Sequence, residues 1–158
     1  MGRTGGLPTD HAAHGSLTRS AFSATAHCLT GCAIGEVLGL VIATAAGWST
    51  VPSIAIAIVL AFIFGYALTL GPVLKAGVPL RRALRLAFLS DTASITVMEI
   101  VDNAFILTVP GAMAAGLTDA KFWWSLGVGL AIAFMFAWPL NRWLIARGRG
   151  HAVVHQFH

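Results

Sequence analysis

Residues 27–40 read HCLTGCAIGEVLGL, a stretch holding both cysteines of the chain, a histidine, a glutamate and three glycines. Its flanks are apolar, and the run extended to residues 21–46 exceeds the roughly 20 residues needed to cross a bilayer's hydrocarbon core. Three further apolar runs of comparable length follow, at 52–70, 83–109 and 122–145. The composition agrees: 57% of residues are hydrophobic and 10% charged, with mean hydropathy +0.80, where a soluble domain carries about a quarter of charged residues. The expected fold is an all-α membrane protein of four transmembrane helices. A polar cytoplasmic arm (1–20) precedes the membrane domain (21–146), and a basic, histidine-rich cytoplasmic tail (147–158) follows it.

The placement of charge sets the expected orientation. Arg3 and Arg19 precede the first run; Lys75, Arg81, Arg82 and Arg85 lie at the junction of the second and third; Arg142, Arg147 and Arg149 end the fourth. Lys121 alone falls on the other side. The positive-inside rule then puts both termini in the cytoplasm. Topology accounts for the basic residues, so no nucleic-acid partner is needed. Two cysteines make no disulfide framework. The Leu29–Cys32 segment, LTGC, fits a lipoprotein cleavage pattern, but the apolar run continues past Cys32, where a mature lipoprotein would turn polar. The polar arm before Ala21 lacks the apolar core of a secretory signal.

The second and fourth runs align at an offset of 72. IAIVLAFIFGYAL (56–68) lies over VGLAIAFMFAWPL (128–140), matching Ala61, Phe62, Phe64 and Leu68 to Ala133, Phe134, Phe136 and Leu140. The first and third align less well at an offset of 63, which sets Glu36 over Glu99, Cys28 over Asp91 and Gly39 over Asp102. The expected architecture is two tandem helical hairpins in the same orientation, related by a pseudo-twofold axis along the membrane normal. Trp123 and Trp124 suit an interfacial anchor after the longer second connection.

On a helix, residues four apart share nearly one face. In the first run Cys28, Cys32 and Glu36 form one stripe; His27, Gly31, Gly35 and Gly39 form another, about a hundred degrees round. The second is a G-x-x-x-G-x-x-x-G pattern, which lets another helix approach the backbone closely. A buried free cysteine is commonly a small apolar filler, but a carboxylate at a helix centre costs about 2.5–3.5 kcal/mol to insert, and Glu36 lies one turn beyond Cys32. Thiolate and imidazole suit copper(I), zinc or iron(II), and two cysteines four apart can reach one ion, with His27 a third ligand. Packing and thiol redox chemistry are the other readings of the pair.

The third run, SDTASITVMEIVDNAFILTVPGAM (90–113), is the least lipid-like. Asp91, Met98 and Asp102 share one face, and Glu99 and Asn103 form an adjacent pair. Glu99 and Glu36 fall at matched depth, so they would meet if their helices touch. Ionisable groups inside a membrane are functional candidates, and mutually repelling carboxylates favour a shared proton or a bound cation. A hydrogen-bonded structural pair is the plainer alternative. Met135 is a lone methionine near mid-membrane in the fourth run. His11 and His14 near the start, and His151, His155 and His158 in the tail, lie on the cytoplasmic side, where they could capture metal or simply be solvated.

HCLTGCAIGE (27–36), MEIVDN (98–103) and FAWPLNRW (136–143) together resemble a group of small bacterial integral-membrane proteins catalogued as a domain of unknown function. The resemblance covers about residues 21–147. It implies a bacterial inner-membrane location and, through an association with copper-handling proteins, a metal role.

The leading expectation is a soft-metal binding or transport protein, copper(I) first. His27, Cys28 and Cys32 would be ligands. Glu36, Met98, Glu99 and Asp102 would continue the path, and Asp91 and Asn103 would lie along a proton or ion route. The partners would be the lipid bilayer, a metal ion and further copies of the chain, since four helices enclose little polar path. The alternatives are a proton-coupled small-molecule exporter using Glu36 and Glu99, a thiol- or quinone-linked oxidoreductase, and a structural subunit. Cysteines four apart in one helix suit disulfide geometry poorly.

Overall fold

A computed structural model describes residues 10–147. His151, His155 and His158, with Arg149, lie outside the described residues, as do the side chains of His11 and His14. Four helices follow one another: α1 (Asp10–Ala46), α2 (Thr50–Lys75), α3 (Leu80–Thr108) and α4 (Ala120–Ala146). Among the described residues there is no strand. α1 has 37 residues, about 55 Å of helix, and takes in residues 10–20 of the expected arm.

Three-residue and four-residue connections turn α1 into α2 and α2 into α3, so consecutive helices run antiparallel. Gly47 (φ 66°) and Gly77 (φ 80°) supply the left-handed backbone at these turns, a conformation that a Cβ disfavours. The longer link before α4 is pinned at several points. Asp119 caps α4 by accepting from the Lys121 N–H at 2.9 Å, and Trp123 Nε1 donates to the Leu117 carbonyl at 2.8 Å.

The helices close into a ring in chain order, and α1 also meets α3 across the middle. The tightest seam is between α1 and α2. Gly31 lies on Gly65, Gly35 on Ala61 and Gly39 on Ala57; a Cβ at Gly31 or at Gly39 would stand 2.7 Å from the opposing Cα, and one at Gly35 would run into the Ala61 backbone. The G-x-x-x-G-x-x-x-G stripe thus meets small residues four apart on α2. Tyr66 and Thr92 join α2 to α3 by a 2.8 Å hydrogen bond. The Thr92 hydroxyl donates to the Phe88 carbonyl at 2.6 Å, so Tyr66 is the donor between them.

The distribution of side chains is the reverse of a soluble protein's. The interior is filled by alanines such as Ala61, Ala133 and Ala137, with Ile95 and Met98 among the few large side chains fully buried, while Val51, Met135, Ile100 and Phe88 face outward. Small residues inside and large apolar ones outside suit packing in lipid. Leu17–Ala46, Thr50–Lys75 and Ala120–Ala146 are each long and apolar enough to cross a membrane. α3 is as long, at 29 residues, but falls short in apolarity because it carries Asp91, Glu99 and Asp102 besides the basic residues of its first turns. Composition alone therefore marks three spans, where the sequence reading expects four.

Candidate functional site: carboxyls inside the bundle

All three acidic residues of α3 turn inward, and so does Glu36: Asp91, Glu99, Asp102 and Glu36 are buried. Glu36 lies two-thirds of the way along the apolar part of α1, and the α1–α3 contact sets it beside α3. Its carboxyl comes within hydrogen-bonding reach of Asp102, with Glu99 close by. Glu99 turns instead to Cys32 and accepts from Asn103, whose Nδ2 donates to Glu99 Oε2 at 3.3 Å and to the Glu99 carbonyl at 2.9 Å. The partner of Glu36 is thus Asp102 more than the residue at matched depth, Glu99.

Among the described residues, no basic side chain is among the groups acting on Glu36, Glu99 or Asp102. One oxygen each of Glu36 and Glu99, and both of Asp102, are buried without a hydrogen-bond partner. Room for Asp102 is made by Gly129 on α4, since Asp102 Oδ1 occupies the space that a Cβ at this position would need. That role of Gly129 is missed by sequence reasoning, although the offset of 72 sets it over Ala57, a contact of Gly39.

The thiols lie one and two turns further toward the chain termini. Cys28 and Cys32 are free and buried; Cys28 stands beside Asp91 and Ser94, and Cys32 against Glu99. Met98 is buried in the same core. His27, on the adjacent face, is half-buried, and Met135 faces outward. Among the described residues, no three histidine, cysteine, aspartate or glutamate side chains are gathered as a metal-holding group. Below the thiols, Asn141 Nδ2 donates to Thr25 Oγ1 and to Ser94 Oγ, both at 2.9 Å, tying α4 to α1 and α3. Asn141 belongs to the FAWPLNRW segment, and an asparagine inside an apolar run is the signal that marks it.

Toward the connecting loops the carboxyl cluster gives onto an open cavity. Glu36, Ser53, Asn103 and Ser125 are its polar walls, and Leu40, Ile54, Met113 and Phe122 are among its apolar ones. The sequence pattern does not single out Ser53 and Ser125, because serine within an apolar helix is common.

Fold and site together define a helical membrane protein with Glu36, Glu99 and Asp102 gathered in its interior. Within that class the chain belongs to the family described as Domain of unknown function (DUF4396), whose profile matches residues 18–150. No curated protein and no solved structure matches it.

Proposed function

We propose that the protein is a proton-coupled carrier of a small solute, with four membrane spans and Glu36, Asp102 and Glu99 as the groups that hold and release the proton. The observation that carries this reading is the grouping of three carboxyls, with no basic partner among the described residues, inside a bundle whose outer face is apolar. Unpaired carboxylates in such surroundings are costly. A proton shared between Glu36 and Asp102 removes the repulsion and gives each a hydrogen bond. A carrier can then exchange that proton for a solute entering the cavity that Glu36 lines.

The fourth span is supported by the sidedness of α3. Its acids point inward, while Phe88, Leu89, Ile100 and Leu107 on the outside are all more than half exposed. A soluble amphipathic helix would be arranged the other way. With four spans, the basic residues gather at the end that holds the chain termini, which puts that end in the cytoplasm of a bacterial cell and the cavity on the outer side.

The register of burial supports two related hairpins. The buried positions of α2 (57, 61, 65, 69 and 73) fall, at the offset of 72, on buried positions of α4 (129, 133, 137, 141 and 145). On α1, buried 24, 28, 31, 32, 35, 36 and 39 fall on buried residues of α3 at the offset of 63, whereas buried 21, 25 and 43 do not. A pseudo-twofold axis between α1 and α3 accounts for both.

Purified protein in liposomes loaded with a pH-sensitive dye tests the carrier. Challenge with a panel of small amines, alcohols, sugars and carboxylates should give a solute-driven change of internal pH beyond that of empty liposomes, and Glu36→Gln should abolish it. A wild-type response equal to empty liposomes across the panel sinks the reading.

A soft-metal cargo, copper(I) before zinc or iron(II), is the second reading. What favours it is that both thiols face the interior, next to acids, instead of lipid. It requires a third ligand, and among the described residues no three histidine, cysteine, aspartate or glutamate side chains form a metal-holding group.

A further inference from the structure

We infer that the cavity beside Glu36 binds a small organic ammonium ion with an apolar body. The inference rests on the carrier reading above and names the class of its solute.

The Ser53 hydroxyl donates to the Ser49 carbonyl at 2.8 Å. The Ser125 hydroxyl donates to the Lys121 and Phe122 carbonyls at 2.8 and 3.0 Å. Asn103 directs its amide N–H groups at Glu99. Each of these side chains has committed its hydrogens to a helix, and what remains is acceptor: hydroxyl lone pairs and the Asn103 Oδ1. Glu36 is 8% exposed, lines the cavity, and has in Oε1 a buried oxygen without a partner.

The polar part of the wall is therefore an acceptor set around one carboxyl. A ligand that carries only donors matches it, and an ammonium group has three N–H donors and no acceptor. A carboxylate or phosphate would bring acceptors against acceptors, and an alcohol would satisfy one of them at most. A bare metal cation is poorly served, because hard ions ask for six or more oxygens and the wall offers few between apolar side chains. Leu40, Ile54, Met113 and Phe122 instead suit an apolar body, and the Phe122 ring is the kind of face that attracts a cation.

The test is calorimetry on the purified full-length protein with three probes of one shape: phenethylamine, phenethyl alcohol and phenylacetate. Phenethylamine should bind at least tenfold more tightly than either analogue. Glu36→Gln should weaken it at least tenfold, and so should Met113→Trp, which fills the cavity from its loop wall; unchanged circular dichroism and elution volume exclude misfolding. Equal affinity for the three probes, no amine binding at millimolar concentration, or Glu36→Gln binding as wild type would each overturn the assignment. Repeating the titration in buffers of different ionisation enthalpy separates it from the carrier reading. Amine binding without proton release upholds the site and refutes proton coupling there. Solute-driven proton movement in liposomes with no amine binding upholds the carrier and refutes the ammonium site.

Discussion

Glu36 on α1 and Asp102 on α3 place their carboxyls within hydrogen-bonding reach, although the offset that aligns the two helices sets Glu36 over Glu99. If one proton is shared between them, they act as a unit, and units give non-additive losses. Glu36→Gln and Asp102→Asn should each lower solute-driven proton flux in liposomes at least tenfold, and the double variant should lose no more than either single. Losses that multiply would show two independent groups. Glu36→Leu, unlike Glu36→Gln, strands the Asp102 oxygens in an apolar site. It should cost about 1–3 kcal/mol of stability, read as a lower melting temperature in detergent.

Helical class and helix positions are legible in the sequence because hydropathy and length decide them, and the helices run within a few residues of the apolar runs from residue 21 onward. α3 shows where this reading weakens. Asp91, Glu99 and Asp102 lower its apolarity below that of the other three helices, and only the structure discloses that the same acids sit on its buried face. The spacing of Gly31, Gly35 and Gly39 announces a close approach but not which helix makes it. The site is partly legible for a similar reason. Acids in an apolar run announce themselves, but the pairing of Glu36 with Asp102, and the space left by Gly129, depend on the rotation of helices that periodicity alone does not fix. Ser53, Ser125 and Asn141 gain their roles from where α2 and α4 end up.

The seam at Gly35 should be the most sensitive packing position. A Cβ there meets the Ala61 backbone, which cannot move aside as a flexible side chain would. Gly35→Ala should destabilise the protein by about 1–3 kcal/mol, the range for overpacked cores. Gly127→Ala is the control, since nothing lies within 4 Å of its Cβ position. Thermal unfolding of the two variants in the same detergent decides the matter; equal melting temperatures would mean that α1 and α2 do not cross at Gly35.

Asn141 is the one side chain hydrogen-bonded to both α1 and α3 among the described contacts of α4. Hydrogen bonds between membrane helices average about 0.6 kcal/mol, so Asn141→Leu should cost about 1 kcal/mol in a denaturant titration of the purified protein. Asn141→Gln, which keeps the amide but lengthens the arm, should recover part of it. A neutral Asn141→Leu would mean that Thr25 and Ser94 gain nothing from this amide.

The cysteines separate the two functional readings. Serine keeps the small size and polarity of the thiol beside Ser94 and Asp91 but is a poor ligand for soft ions. Under the proton-carrier reading, Cys28→Ser/Cys32→Ser retains solute-driven proton flux within about twofold of wild type, a ratio worth less than 0.5 kcal/mol, and elemental analysis finds no stoichiometric metal in either protein. Stoichiometric copper in the wild type, lost from the double variant together with transport, would establish the soft-metal reading instead.

The same double variant, free of cysteine, makes the topology testable. Ala76 in the α2–α3 connection and Thr118 before α4 are both exposed. If α3 spans the membrane, they lie on opposite sides; if it does not, they share one. With Ala76→Cys and Thr118→Cys introduced singly, a membrane-impermeant maleimide applied to intact cells should label position 118 at once and position 76 only after permeabilisation. The direction follows from the basic residues flanking position 76, Lys75, Arg81 and Arg82, which the positive-inside rule holds in the cytoplasm. Labelling of both positions from one side would remove α3 from the membrane. Its buried acids would then need a water-accessible explanation, and the carrier reading would lose its fourth wall.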